Sequence, residues 1–113
     1  VPASHLAFLA ALPLSLAFGP LFLVHAGIRP GVALDAQAED DLLWIRAPFL
    51  TDPRDHGALI VHGHTAVDTA EHHGNRVNLD SGAGFGRALS VAVIEGRAVA
   101  LLTDQGRRPL PPP

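Results

Sequence analysis

Histidines follow two short apolar runs of the sequence, and both runs have the pattern of a buried strand. Residues 21–24 (LFLV) lead directly into His25, and residues 58–61 (ALIV) lead into the segment HGH. In open α/β sheets, reactive side chains collect at the carboxyl ends of the strands, because the loops there face one crevice. The two segments are therefore candidates for one reactive site. The alternative is that each histidine is only a satisfied polar residue at a strand end.

A glycine accompanies each of these histidines. Gly27 and Gly63 would let backbone or a bound ion approach closely, which a purely structural histidine does not require, so they favour the shared site. His62 and His64 lie two residues apart and would face the same side of a continuing strand. The spacing leaves open which of the two points into the site.

Composition narrows the classes of function. The chain has 113 residues, is 48% hydrophobic and 17% charged, and carries a formal charge of −3. These values are ordinary for one small globular domain and give no electrostatic footprint for nucleic acid. Without cysteine, any metal must use histidine and oxygen ligands. The chain begins at Val1 and contains no methionine, so we expect a processed protein or a piece of a longer one.

Residues 6–24 are apolar over nearly the length of a membrane span, and they need an alternative interpretation. Pro13 and the pair Gly19-Pro20 would break such a helix twice, and no basic region precedes it as in a secretory signal. We therefore predict a helix over residues 2–12, a turn, and a buried strand over 21–24. We therefore expect that the chain does not associate with a membrane and that it is cytoplasmic.

The remaining elements are predicted more coarsely. Asp35 is a candidate N-cap for a helix that runs to about Arg46, and Pro48 would end it. A tight hairpin is expected at Glu95-Gly96. Residues 107–113, which end in PLPPP, are predicted to be a disordered tail. Further strands are predicted over residues 58–61, 76–80, 88–95 and 97–103.

Four blocks in order carry a resemblance: LFLVHAGIRPG, DDLLWIRAPFL, IVHGHT and NRVNLDSGAGFG followed by RALSVAVIEG. Together they resemble the C-terminal half of the phosphoprotein phosphatase family of calcineurin-like metallophosphoesterases, in particular its bacterial serine/threonine phosphatase-like members. The resemblance covers about residues 1–96. It implies an α/β fold, a partial metallophosphoesterase β-sandwich flanked by helices, in which residues 1–106 form the C-terminal portion of the four-layer domain.

The resemblance also implies a site. Two divalent metal ions, Mn, Fe or Zn, would hold the phosphate, with His25 and His64 as ligands of the second ion. The guanidinium of Arg46 would donate two hydrogen bonds to the phosphoryl oxygens. Without the family, Arg46 would be interpreted as a solvated arginine at a helix end. The substrate would be a phosphorylated protein or a small phosphoester, hydrolysed by attack of a metal-activated water.

Other polar and aromatic residues are given structural roles. Leu43 and Trp44 are predicted to pack in the core, and His62 to support the site or be merely structural. His72 and His73 are expected to be solvated. Asp80, after a predicted strand, is interpreted as a turn or structural carboxylate rather than a base.

Departures from the family pattern limit the prediction. The blocks DxH, GDxxDRG and GNHE, which carry the other metal ligands and the catalytic histidine, do not occur in the chain. Gly84 stands where many relatives have an aromatic residue. We therefore expect the isolated chain to be inactive. The alternatives are a dinucleoside polyphosphate hydrolase of the same superfamily, and a non-catalytic binding module that kept the fold and lost the chemistry.

Overall fold

A computed structural model describes all residues, 1–113, as an α/β domain with mixed sheets and few helices. This confirms the α/β class, while the metallophosphoesterase fold itself stays a prediction. Single 3-10 turns lie at Leu34–Ala36, Phe49–Thr51 and Ala83–Phe85. The helices are α1 (Ala3–Ala10) and α2 (Glu39–Trp44). The strands are β1 (Ser15–Phe18), β2 (Leu21–Val24), β3 (Leu59–His62), β4 (Glu71–His72), β5 (Arg76–Asn78), β6 (Ala92–Glu95), β7 (Ala98–Thr103) and β8 (Gly106–Pro109).

The larger sheet has five strands in the order β1-β2-β3-β5-β4. Its three central strands, β2, β3 and β5, are parallel, and the two edge strands pair with them antiparallel. Because β2, β3 and β5 run in the same direction, their carboxyl ends meet at one edge of the sheet. The predicted histidine segments therefore leave the sheet on the same side.

The two faces of this sheet pack against different partners, as the alternation of side chains along a strand requires. On one face, Phe22 and Ile60 belong to a cluster with Leu42 of α2 and with the fully buried Phe49. On the other face, the core is formed with the second sheet and with the tail. That cluster contains Leu21, Leu59, Val61, Val77 and Val99, with Ile94 and Leu110 packed against it.

The second sheet is an antiparallel meander, β6-β7-β8. Its first turn is the predicted hairpin, in which Glu95 pairs with Ala98 and Gly96 has a positive φ of 61°. The predicted disordered tail is wrong for residues 107–110. Residues 107–109 are part of β8, and the Leu110 amide donates to the Val99 carbonyl oxygen at 2.9 Å. The apolar side chain of Leu110 packs on the core, which explains why this polar and proline-rich end is ordered.

The N-terminal segment differs from the prediction in one element. The helix is confirmed as α1, and the strand as β2, but the intervening turn contains strand β1, which pairs with β2 through Phe18 and Leu21. Neither this region nor any other contains a helix with the length and apolarity needed to cross a membrane. Large apolar side chains of α1 and β1 and of the turn between them are exposed: Leu6, Phe8, Leu9, Leu12, Leu14, Leu16 and Phe18.

The predicted start of α2 is wrong. Ala38, not Asp35, precedes its first turn, and Asp35 lies in a separate 3-10 turn. The helix ends at Trp44, before Pro48, because Ile45 is already extended. The three acidic residues of the first turn, Glu39, Asp40 and Asp41, complement the partial positive charge of a helix N-terminus, so an uncapped start is tolerated.

Candidate functional site

His25 and His64 lie next to each other although 39 positions separate them in the chain. The His25 Nε2 and His64 Nδ1 atoms are 3.2 Å apart, and the ring centroids are 4.9 Å apart with an interplanar angle of 62°. The predicted convergence of the two histidine segments is therefore observed. His25 is exposed and His64 is half-buried.

The backbone brings the two histidines together at the shared sheet edge. Leu23 of β2 pairs with Val61 of β3, and just beyond this pair the Gly63 amide donates to the His25 carbonyl oxygen at 2.8 Å. His64 has a φ of 70°, in the left-handed region that residues other than glycine rarely adopt. Such backbone strain persists where the surrounding structure fixes it, and it often marks functional positions. Of the residues in HGH, the third is thus turned towards His25.

Gly27 shapes the first of the two histidine loops. Its φ is +152°, and a Cβ atom at this position would overlap the buried ring of Phe49. The close approach that the sequence suggested is thus made by a protein side chain rather than by an ion. Phe49 therefore fixes the path of the chain two residues after His25.

We expect Gly27→Ala to lower the free energy of unfolding by about 2 kcal/mol or more, because the new methyl group must displace a ring in a well-packed core. Urea denaturation followed by circular dichroism measures the change. Gly84→Ala is the matched control, since Gly84 is exposed and no atom lies within 4 Å of the place that a Cβ would take there. Equal stability of the two variants would contradict the close approach at Gly27.

Trp44 and Arg46 come from the end of α2 and the residues that follow it. The Trp44 ring packs edge-on against His64, with centroids 5.8 Å apart, and it is 68% exposed. The prediction that Trp44 packs in the core is therefore wrong. Trp44 lines the candidate site, because Leu42 lies on the buried side of α2 and Trp44 lies on the opposite side of this helix. Leu43 is half-buried.

Arg46 is exposed, and its guanidinium makes no hydrogen bond or ion pair within the chain. It is close enough to His64 to contribute to the lowering of the His64 pKa. The larger cause is partial desolvation, followed by the His25 ring, while Asp80 acts in the opposite direction. The lowered pKa favours the neutral imidazole, which is the form that binds metals.

Asp80 lies at the same edge, just after β5. Its backbone oxygen accepts from the Val67 amide at 2.9 Å, and its Oδ1 accepts from the Gly82 amide at 3.0 Å. A Cβ atom on Gly63 would lie 3.1 Å from the Asp80 Cβ. Asp80 therefore organises the turn after β5, as predicted, and the absence of a side chain at Gly63 allows β3 and this turn to come together.

His62 points away from His64 and into the core between the sheet and α2. It is 4% exposed, and its ring packs edge-on against Phe49 with centroids 4.9 Å apart. Burial lowers the pKa of His62 to about 4, so the ring is neutral near pH 7. His73 is exposed and pairs with Glu71 at 2.8 Å, whereas His72 is half-buried and accepts from the Gly74 amide. The prediction that both residues are solvated is therefore confirmed for His73 and wrong for His72.

The histidine pair is not part of a larger cluster of metal-binding side chains. No group of three or more His, Cys, Asp or Glu side chains is arranged to hold a metal ion.

Comparison with known proteins gives no assignment. The chain matches no protein-family model, no curated protein and no solved structure. The family resemblance therefore rests on the four sequence blocks alone.

Proposed function

We propose that this chain is part of a metal-dependent phosphoester hydrolase of the serine/threonine protein phosphatase-like type. In this proposal His25 and His64 are ligands of one divalent ion, and Arg46 binds the phosphoryl group. The ion would polarise the phosphoester and lower the pKa of a water molecule. The proposed substrates are a phosphorylated protein or a small phosphoester, and the proposed ions are Mn, Fe or Zn.

The single observation that supports this proposal most is the 3.2 Å distance between the two imidazole nitrogens. With metal–nitrogen bonds of about 2.0–2.1 Å, two nitrogens on one ion are about 2.8–3.4 Å apart for angles between octahedral and tetrahedral. The pair thus fits one coordination sphere. In the metal-free chain the same distance accommodates a hydrogen bond between the rings.

Arg46 supports the phosphate part of the proposal. A guanidinium is planar, stays charged and offers paired donors that match the oxygens of a phosphate. Arg29 and Arg54, by contrast, already pair with Asp41 and Asp52 at 2.8 and 3.0 Å. Arg46 has no such partner, and its charge acts on His64, so its donors are free to bind an anion held by the ion.

The chain supplies only two proposed metal ligands, His25 and His64, which is too few for a complete catalytic metal centre. Two imidazoles leave most coordination positions of an ion to water, and the chain has no third ligand beside them. We therefore assign the full reaction to a protein in which other residues complete the metal centre. The chain by itself is expected to bind a metal ion and phosphate but not to hydrolyse an aryl phosphate.

The test is a titration of the full chain with Zn²⁺, in which the NMR signals of the histidine rings are recorded at each metal concentration. We expect the His25 and His64 signals to shift together, and His25→Ala or His64→Ala to weaken binding at least about tenfold, since each removes a direct ligand. His73→Ala is the control, because it removes an exposed histidine elsewhere.

A second titration, with inorganic phosphate and the Mn²⁺-loaded chain, tests Arg46. Loss of one charge-assisted contact is expected to weaken phosphate binding about tenfold in Arg46→Ala, and not in Arg97→Ala, which removes another exposed arginine. Metal binding that survives both histidine substitutions would overturn the proposal. Metal-dependent hydrolysis by the isolated chain, lost in His25→Ala, would overturn the expectation of inactivity.

A further inference from the structure

Arg76 is a buried arginine without a carboxylate partner. It is the first residue of β5, is 6% exposed, and takes part in no salt bridge. Its Nη2 donates to the Leu50 carbonyl oxygen at 3.0 Å, and its Cζ lies 5.7 Å from the centre of the Phe49 ring. Glu71 acts on Arg76 only through space, without an ion pair, so the guanidinium depends on the polar groups that it contacts directly.

The remaining contact of Arg76 leads towards the candidate site. Its Nη1 donates to His62 Nε2 at 3.1 Å. Because arginine can only donate, His62 Nε2 must be the acceptor, and the ring proton of the neutral histidine lies on Nδ1. His62 Nδ1 then donates to the Gly63 carbonyl oxygen at 3.1 Å. Arg76 thus determines the tautomer with which His62 holds the peptide bond that precedes His64.

Phe49 connects the same cluster to the other histidine. Its ring contacts His62 on one side and leaves no room for a side chain at Gly27 on the other. The chain segments that carry His64 and His25 therefore pack against one fully buried ring. The cluster of Phe49, His62 and Arg76 is a common support for both loops.

We propose that His62 and Arg76 are positioning residues, which hold the Gly63–His64 peptide so that the His64 ring faces His25. This inference rests on the proposed function for the purpose of the positioning, since the aligned pair would be the metal ligands. Outer contacts that orient a metal ligand commonly change affinity by about 10–100-fold when they are removed. Replacing buried charged or polar groups by apolar side chains of similar size is often neutral or stabilising, so an effect on the ring contact can be separated from an effect on stability.

The test compares the full chain with the double variant His62→Leu/Arg76→Met. We expect a melting temperature equal to or above that of the unchanged chain. In the metal-free state, the nuclear Overhauser contact between the His25 and His64 rings should be lost. Zn²⁺ affinity should fall at least about tenfold. His62→Asn, whose amide retains a donor near the Gly63 carbonyl, should recover part of the ring contact.

Each outcome has a separate meaning. A folded double variant with an unchanged ring contact overturns the inference. A double variant that does not fold, together with loss of melting temperature in His62→Asn, also overturns it, because the pair would then serve folding. Failure of the unchanged chain to bind Zn²⁺ overturns the proposed function. In that case the contact between the His25 and His64 rings, compared in the metal-free chain and the metal-free double variant, still decides whether His62 and Arg76 position His64.

Discussion

Phe49→Ala is expected to lower the free energy of unfolding by about 3–5 kcal/mol, the usual range for truncating a large aromatic side chain in a core. Phe49 is fully buried and belongs to the cluster between the sheet and α2. Its ring also contacts His62 and lies against Gly27. Urea denaturation of the metal-free chain measures the change, and the ring contact between His25 and His64 should weaken in parallel.

Phe85→Ala is the matched control for this prediction. Phe85 is 83% exposed, so its truncation should change the free energy of unfolding by less than about 0.5 kcal/mol. A loss in Phe49→Ala as small as that in Phe85→Ala would mean that the stability of the chain does not depend on the cluster around Phe49. A large loss in Phe49→Ala alone would support that cluster as the common base of the two histidine loops.

Stability is expected to fall between pH 6.5 and about pH 4 because of His62. In the folded chain, burial lowers the pKa of His62 from 6.5 to about 4, so below pH 6.5 the unfolded chain takes up a proton that the folded chain does not. Protonation therefore favours unfolding throughout this window, and the contribution levels off below pH 4. The shift corresponds to about 3 kcal/mol, since one pKa unit is worth about 1.4 kcal/mol.

The difference between the unchanged chain and His62→Asn isolates this contribution. His56 and His72 also have lowered pKa values and act in the same direction, but their contributions are common to both proteins. The comparison is made by urea denaturation from about pH 7.5 to about pH 4 with a chelator present. Parallel pH profiles of the two proteins would contradict the burial of a neutral His62.

Several parts of the fold could be predicted from the sequence because their signals are local. The run LFLV has no polar residue and is followed by a histidine, and it forms β2 with the predicted bounds. Glu95-Gly96 joins two apolar runs with a residue suited to positive φ, and it forms the hairpin. The two histidine segments end parallel neighbouring strands, so their meeting at one edge followed from general properties of parallel sheets.

Other parts could not be predicted because long-range contacts decide them. Strand β1 forms where proline and glycine indicated only a turn, since pairing with β2 satisfies its backbone. The tail is ordered because β7 offers a free edge to β8 and the core accepts Leu110. Trp44 faces His64 rather than the core because α2 is short and Leu42 takes the buried side.

The sequence by itself determined the apolar strands, the tight turns and the histidines that follow β2 and lie at the end of β3, because these depend on residue type and near neighbours. The tertiary structure decided which histidine of the HGH segment faces His25. His64 meets His25 and His62 turns to Arg76 because the left-handed backbone at His64 and the buried contacts of β5 and Phe49 separate the two rings. Such contacts join residues distant in the chain, and no local pattern encodes them.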